Sequence, residues 1–304
     1  MGRADSCGVN IWVCNMCDRA ARFRIIRIDS DVFTLSGEGR TLCCRARKTL
    51  KRRADIRVGD FVTADLTAEP VITDVLPRRN ALIRPAVANV DTVVIVLCPE
   101  PAPDFMTVDK LIVNCRAMGI RPVVCCNKSD LPVCLFDTVW AQYDGFADAV
   151  IETSATECDL AALRAILPGR LTALAGQSGV GKSSLVNALT GSVRAVGDVS
   201  EKIGRGKNTT TRAELLPLGD DSYVIDTPGF SMLDVHGSPP EVLADWYGYT
   251  PYASACRFGG NCSHTVEPDC AVKARVADGR LNGARYDRYV RLYQAVRAES
   301  RNRR

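Results

Sequence analysis

No apolar run in this chain approaches the roughly 20 residues that a membrane-spanning helix needs. The longest, Val93–Cys98, has the length of a strand. The N-terminus lacks the apolar core of an export signal. Both absences argue against an integral membrane or secreted protein and lead us to expect a cytoplasmic one. There is no internal repeat at solenoid spacing, so a repeat array is excluded. Histidine is scarce, with two in 304 residues. His236 precedes Gly237 and Ser238 and reads as a solvent-exposed side chain, whereas His264 lies among cysteines. Cysteine, by contrast, is abundant at 14. Without an export signal, reduced thiols are the expected state. Cys98, Cys115, Cys125, Cys126 and Cys134 lie among apolar residues and read as small buried hydrophobes. Cys14 and Cys17 form a CxxC with no second pair nearby, a weak signal for metal or redox chemistry.

The length fits two or three domains, and 46% apolar residues suffice for real cores. Residues 1–21 show no periodicity and read as an N-terminal extension. From 22 to 76, short apolar runs alternate with glycine turns: Phe23, Ile25 and Ile28, then Val32–Leu35, Arg57–Ala64 and Val71–Ile72. This predicts a small β-barrel. Pro77–Pro85 reads as a linker. From 77 to 237 the pattern becomes alternating strand and helix. Strands are expected at Asp91–Cys98, Pro122–Cys126, Ala149–Glu152, Arg170–Ala175 and Tyr223–Ile225. Helices are expected from Val108 to near Gly119, within 135–145, and at Leu160–Leu167 and Lys182–Leu189. That is an α/β domain with a largely parallel sheet. From 238 to 304 aromatics and cysteines give way to an arginine-rich helix.

Gly176-Gln177-Ser178-Gly179-Val180-Gly181-Lys182-Ser183 fits GxxxxGK[ST] between a strand and a helix, followed by Ser184. Glycines let successive N–H groups turn toward a phosphate, and the helix N-terminus adds partial positive charge. Lys182 is suited to bridging β- and γ-phosphates, and Ser183 to ligating Mg²⁺. Asp226-Thr227-Pro228-Gly229 follows a strand; Asp226 can hold the Mg²⁺, and the Gly229 N–H can face the γ-phosphate.

Asn127-Lys128-Ser129-Asp130 selects the base. The Asp130 carboxylate can accept from guanine N1–H and N2–H₂, a donor pair that adenine lacks. Asn127 can meet the O6/N7 edge, and the Lys128 stem can cover the ring. In Thr153-Ser154-Ala155 a backbone N–H can donate to O6. A P-loop kinase or ATPase is disfavoured by these residues. Their order is permuted: base motifs first, P-loop and DTPG after. Joining nearby termini and cutting elsewhere can preserve a fold.

From about 22 to 290 the chain resembles the circularly permuted GTPases of the RsgA/YjeQ family. The resemblance rests on Arg84-Pro85 through Asp91, on NKSD, GQSGVGKSS and DTPGF, and on the cysteine cluster below. It implies an OB-fold barrel, a permuted GTPase, a C-terminal zinc domain, and a role in late assembly of the bacterial small ribosomal subunit. Two departures touch catalysis. Phe230 follows DTPG where Ras-like enzymes carry a water-orienting glutamine; the family is also apolar there, so a slow intrinsic rate is expected. In the family's switch region, here 204–212, Asn208 replaces the usual histidine. Thr210 or Thr209 is expected to ligate Mg²⁺ and sense the γ-phosphate.

Cys256, Cys262, His264 and Cys270 form C-x5-C-x-H-x5-C. Three thiolates and an imidazole suit one structural tetrahedral Zn²⁺. The first spacing is one residue longer than usual in the family, which Gly259-Gly260 can absorb. Arg40–Arg53 carries seven Lys/Arg and no acid, placed in the barrel's loops, and Lys273–Arg304 carries ten against three acids. Two basic regions favour RNA phosphates, and the resemblance implies 16S rRNA of the small subunit. A monomer is the simpler expectation. Two readings follow: a GTPase whose GTP state controls binding to the small subunit, or a nucleotide-gated RNA-binding switch with negligible hydrolysis.

Overall fold

The computed structural model describes residues 21–83, 85–191, 213–219, 221–226 and 239–302, with backbone alone at Asp226 and Asn302. The N-terminal extension with Cys14 and Cys17, the switch segment 204–212, Gly229, Phe230 and His236 lie outside the described residues.

The first unit is a closed barrel of β1 (Ala21–Asp29), β2 (Val32–Gly37), β3 (Arg40–Ala46), β4 (Phe61–Asp65) and β5 (Val71–Val75), in the order β1-β2-β3-β5-β4. Alternate residues fill it: Phe23 and Ile25, Phe33 and Leu35, Cys44 and Ala46, Val62 and Ala64, with Ile72. Closure leaves no unpaired strand edge. The basic stretch 40–53 is not loop, as the sequence suggested. It forms β3 and then helix α1 (Lys48–Arg53). The alternation Cys44 in, Arg45 out, Ala46 in is a strand period that the basic residues around it obscure.

The segment 77–85, expected as a linker, is tied down. Asn80 and Val90 exchange two hydrogen bonds of 2.9 Å, Asn89 Oδ1 accepts from Arg79 N at 2.9 Å, and Leu82 is buried.

Next come β6 (Thr92–Leu97), α2 (Phe105–Ala117), β7 (Arg121–Asn127), α3 (Phe136–Tyr143), β8 (Ala149–Thr153), α4 (Ala161–Ile166), β9 (Leu171–Ala175), α5 (Lys182–Thr190), β10 (Glu214–Gly219) and β11 (Ser222–Asp226). They build a six-stranded sheet ordered β10-β11-β9-β6-β7-β8. Its strands are parallel except β10, which pairs antiparallel with β11. Every residue of β6 is buried, as a central strand covered on both faces requires. The permutation is visible here: the late strand β9 inserts between β11 and the early β6. β10 went unassigned from sequence because Pro217 interrupts it, which an edge strand tolerates. Cys98, Cys115, Cys125 and Cys126 are buried as expected; Cys134 is exposed, because it sits in the irregular turn before α3 and not on an element.

The C-terminal region is helical: a 3₁₀ turn (Pro240–Val242), α6 (Leu243–Trp246), 3₁₀ turns at Thr250–Ala255 and Gly259–Asn261, α7 (Ala271–Ala277) and α8 (Gly283–Asn302). An aromatic seam joins it to the sheet domain. Phe146 stacks on Tyr247 at 4.8 Å, and Tyr289 meets Tyr247 and Tyr249 edge-on at 5.1 and 5.0 Å. The barrel is joined to β11 by Tyr223 Oη donating to Ser36 Oγ at 2.8 Å, with the Arg24 guanidinium over the Phe61 and Tyr223 rings. Among the described residues no helix is long and apolar enough to cross a membrane.

Candidate nucleotide site and metal centre

The candidate site lies at the C-terminal ends of β9, β6, β7 and β8, where ligand loops of an open α/β sheet gather. After β9 the chain turns through Gly176, Gly179 and Gly181, with φ of +139°, +83° and +97°. A Cβ on Gly176 would meet Val96 O at 2.3 Å, and one on Gly181 would meet Asn127 Nδ2 at 2.3 Å. Neither position has room for a side chain. α5 begins immediately afterwards with no side-chain cap, so its first-turn N–H groups remain for an anion. Lys182 folds back over the loop, its Nζ donating to Gly176 O at 2.9 Å and Gln177 O at 2.6 Å. Burial pushes its ammonium pKa down; a phosphate beside it would favour the charged form. Gln177, Ser178 and Ser183 are exposed, Ser184 is half-buried, and Val180 is inside.

The second loop follows β7. The sequence suggested that Asn127 meets the base edge; in the structure its amide also holds the surrounding loops together. Nδ2 donates to Val180 O at 2.9 Å, and Oδ1 accepts from Thr153 Oγ1 at 3.2 Å and Ala155 N at 3.3 Å. One buried side chain thus ties the P-loop to both loops expected around the base. Lys128 takes a left-handed backbone conformation, φ +64°, closed by Leu131 N donating to Lys128 O at 3.1 Å. Ser129 N donates to Thr153 O at 3.1 Å. Ser154 Oγ donates to Asp130 Oδ1 at 2.6 Å and accepts from Glu157 N at 3.1 Å, which fixes the carboxylate's orientation. Asp226 ends β11 at the same edge of the sheet. Thr209, Thr210 and Gly229 lie outside the described residues, so the arrangement around a γ-phosphate does too.

The four predicted metal ligands converge. Their donor atoms all lie within 4.8 Å of one another, and all four residues are buried. Cys256 Sγ stands 3.6 Å from His264 Nδ1 and 3.9 Å from Cys270 Sγ, and His264 Nδ1 stands 3.4 Å from Cys270 Sγ. A tetrahedral ion bound at about 2.3 Å to sulfur and about 2.1 Å to nitrogen would space sulfurs about 3.8 Å apart, and sulfur and nitrogen about 3.6 Å apart. The residues fit. Burial lowers the His264 pKa, which keeps the imidazole neutral, as a ligand must be. The loop between the ligands is held by Glu267, which accepts from Ser263 N at 2.9 Å and Thr265 N at 3.0 Å. Tyr286 Oη donates to His264 O at 3.0 Å, linking the cluster to α8.

Sequence reasoning missed the turn Cys98–Asp104, whose Glu100 carbonyl accepts from Lys128 Nζ at 3.2 Å. Its signal was the spacing Pro99, Pro101, Pro103 directly after the most buried strand, a place where ligand loops lie. Reasoning also missed Asp109 and Arg288, which join α2 to α8.

Comparison with known proteins agrees with this geometry. The model of the RsgA GTPase family matches residues 75–236. The small ribosomal subunit biogenesis GTPase RsgA of Ruminiclostridium cellulolyticum is 41% identical over 230 residues, covering 74% of this chain and 75% of its own. That of Caldanaerobacter subterraneus subsp. tengcongensis is 36% identical over 288 residues, covering 92% and 97%. Among solved structures, YjeQ from Thermotoga maritima superposes with a TM-score of 0.75 at 32% identity, covering 91% of this chain and 98% of its own. YloQ, described as a circularly permuted GTPase, gives 0.77 at 30% identity, covering 93% and 97%. With its permuted sheet order, its P-loop and its NKSD loop joined through Asn127, the chain belongs to the RsgA GTPase family.

Proposed function

We propose that this protein is a GTP hydrolase that binds the small ribosomal subunit and assists its late maturation, with the bound nucleotide controlling attachment and release. The observation that carries the reading is the Asn127 bridge: a guanine-type loop and a phosphate loop are locked into one site. Asp130, aimed by Ser154, accepts from guanine N1–H and N2–H₂. The Ala155 N–H, which now donates to Asn127 Oδ1 at 3.3 Å, would turn to guanine O6 when the base binds, and the Lys128 stem covers the ring. The backbone of Gly176–Gly181 and the start of α5 cradle the phosphates, Lys182 swings from its carbonyl partners onto the β- and γ-oxygens, and Ser184 stands next along the helix. Ser183, Asp226 and Thr210 or Thr209 would hold Mg²⁺, which would supply positive charge to the phosphates. Thr210 and the Gly229 N–H report the γ-phosphate. With Phe230 and Asn208 in place of water-positioning groups, intrinsic turnover is slow and contacts on the ribosome supply what is missing.

The working division is an OB-type barrel at 22–76, the permuted GTPase at 77–237 and a metal-bearing module at 238–304. Cys256, Cys262, His264 and Cys270 would hold one structural Zn²⁺, which would stabilise this module. The exposed arginines of β3, helix α1 and the exposed arginines of α8 meet 16S rRNA phosphates. The protein acts as a cytoplasmic monomer cycling between GTP and GDP.

Phosphate release from GTP and from ATP, with and without purified small subunits at matched salt, tests the reading. Strong stimulation of GTP turnover by the small subunit is expected. Unchanged slow turnover with GTP-dependent binding would replace it with the nucleotide-gated switch. Equal turnover of ATP would sink both.

A further inference from the structure

Lys128 is half-buried, and its ammonium has a partner within the protein. Its Nζ donates to the carbonyl of Glu100, in the turn between β6 and α2. That carbonyl is aimed from the other side by the buried Cys98 thiol, which donates to it at 2.9 Å. Pro101 faces the P-loop: a Cβ placed on Gly179 would lie 3.7 Å from Pro101 Cδ, so the ring stands across the space that a side chain there would fill. At its far end the turn is fixed by Asp104, which caps α2 by accepting from Met106 N at 3.0 Å. The turn is therefore anchored in the core and at a helix start, faces the phosphate loop, and holds the end of a side chain from the base loop.

We propose that the Cys98–Pro101 turn is a positioning element for the guanine ring: Pro101 and Cys98 fix where the Glu100 carbonyl stands, and that carbonyl holds the Lys128 stem as a ready-made cover for the base. This rests on reading 127–130 as the guanine loop. A free lysine must lose rotamer freedom when it covers a ligand. Here the end of the chain is already tethered and the Lys128 backbone is locked in its left-handed turn, so less is lost when the nucleotide arrives. The cover acts alike on GTP and GDP, because it touches neither the γ-phosphate nor the attacking water. Pro101 is thus a positioning residue acting through Lys128.

The test uses the full chain and a fluorescent GDP analogue. Dissociation rates are measured for wild type, Pro101→Gly, Lys128→Met and the double variant, with GTP turnover and thermal melting alongside. Lys128→Met keeps an apolar stem and loses the donor. Each single variant should release the analogue roughly threefold to tenfold faster, the worth of one net hydrogen bond. The double variant should be no faster than the faster single, since both break one linkage. In the Pro101 variant KM for GTP should rise with kcat unchanged, as for lost uniform binding. If the glycine variant melts early, Pro101→Ala removes the ring with less backbone freedom and takes its place. Multiplying effects in the double variant, or a Pro101 variant that holds nucleotide as wild type does, would overturn the inference alone. A wild-type chain that fails to retain the GDP analogue, or retains an ADP analogue equally, would overturn the guanine reading and this inference with it.

Discussion

Asp109 on α2 and Arg288 on α8 form a two-pronged buried ion pair, with Nε to Oδ2 at 2.8 Å and a terminal nitrogen to Oδ1 at 3.2 Å. They are 179 residues apart in sequence, and Asp109 is fully buried. Tyr143 Oη at 2.8 Å and Tyr247 Oη at 3.1 Å donate to the same carboxylate, and Arg288 donates on to Gln142 Oε1 at 2.8 Å. Arg285 donates to the Gln142 carbonyl at 3.0 Å. This network fastens the C-terminal module to the helix that leaves the Cys98–Asp104 turn.

Removing one partner strands the other charge in the protein interior. Asp109→Ala should destabilise the fold by about 3–5 kcal/mol, and Asp109→Leu with Arg288→Met should recover part of that, because neither charge then needs a partner. Denaturant unfolding of the three proteins measures it. A loss under about 1 kcal/mol for Asp109→Ala would mean that water reaches the pair.

Base selection should reverse at one atom. Asp130→Asn exchanges an acceptor for a donor toward the base while an amide can still meet Ser154. GTP affinity should fall by roughly a hundredfold or more, and xanthosine triphosphate should become the better ligand. Competition between the two nucleotides against a fluorescent analogue decides this. An unchanged preference would remove Asp130 from the base site.

Much of this was legible in the sequence where the signal is local. β6 announces itself by an unbroken apolar run, and the P-loop by glycines whose positive φ values the fold requires. Signals that are spread or carried by main chain were not legible. β10 is a strand through pairing with β11 despite Pro217. The arginines of β3 hide a period of two. Asn127 reads as a base contact, but its ties to Val180, Thr153 and Ala155 leave no mark in the sequence, because these partners become neighbours only when β7, β8 and β9 align in the sheet. A carbonyl such as that of Glu100 carries no residue signature at all.

The cysteine cluster should carry its metal out of the cell. The purified chain should contain close to one zinc per molecule by elemental analysis, and Cys256→Ser or Cys270→Ser should lose most of it. A strong chelator should melt the C-terminal module in a separate, earlier transition, because Tyr286 and Tyr289 of α8 are bonded to the carbonyls of His264 and Ser263. The barrel should melt as before. Full retention of metal after either substitution would place the ion elsewhere.

Two glycines with left-handed backbones separate strain from function. Gly191 closes α5 with φ +67° and open space where a Cβ would go, so Gly191→Ala should cost roughly 1–2 kcal/mol of stability and leave nucleotide binding intact. Gly181 has φ +97° and lies where a Cβ would strike the Asn127 amide at 2.3 Å. Gly181→Ala must therefore displace Asn127 from Val180 and part the two ligand loops. Its nucleotide affinity should drop about a hundredfold, equivalent to about 2.8 kcal/mol. Titration of both variants with the GDP analogue, beside their melting curves, reads the contrast. Equal affinities in the two would show that the Asn127 bridge is dispensable for assembling the site.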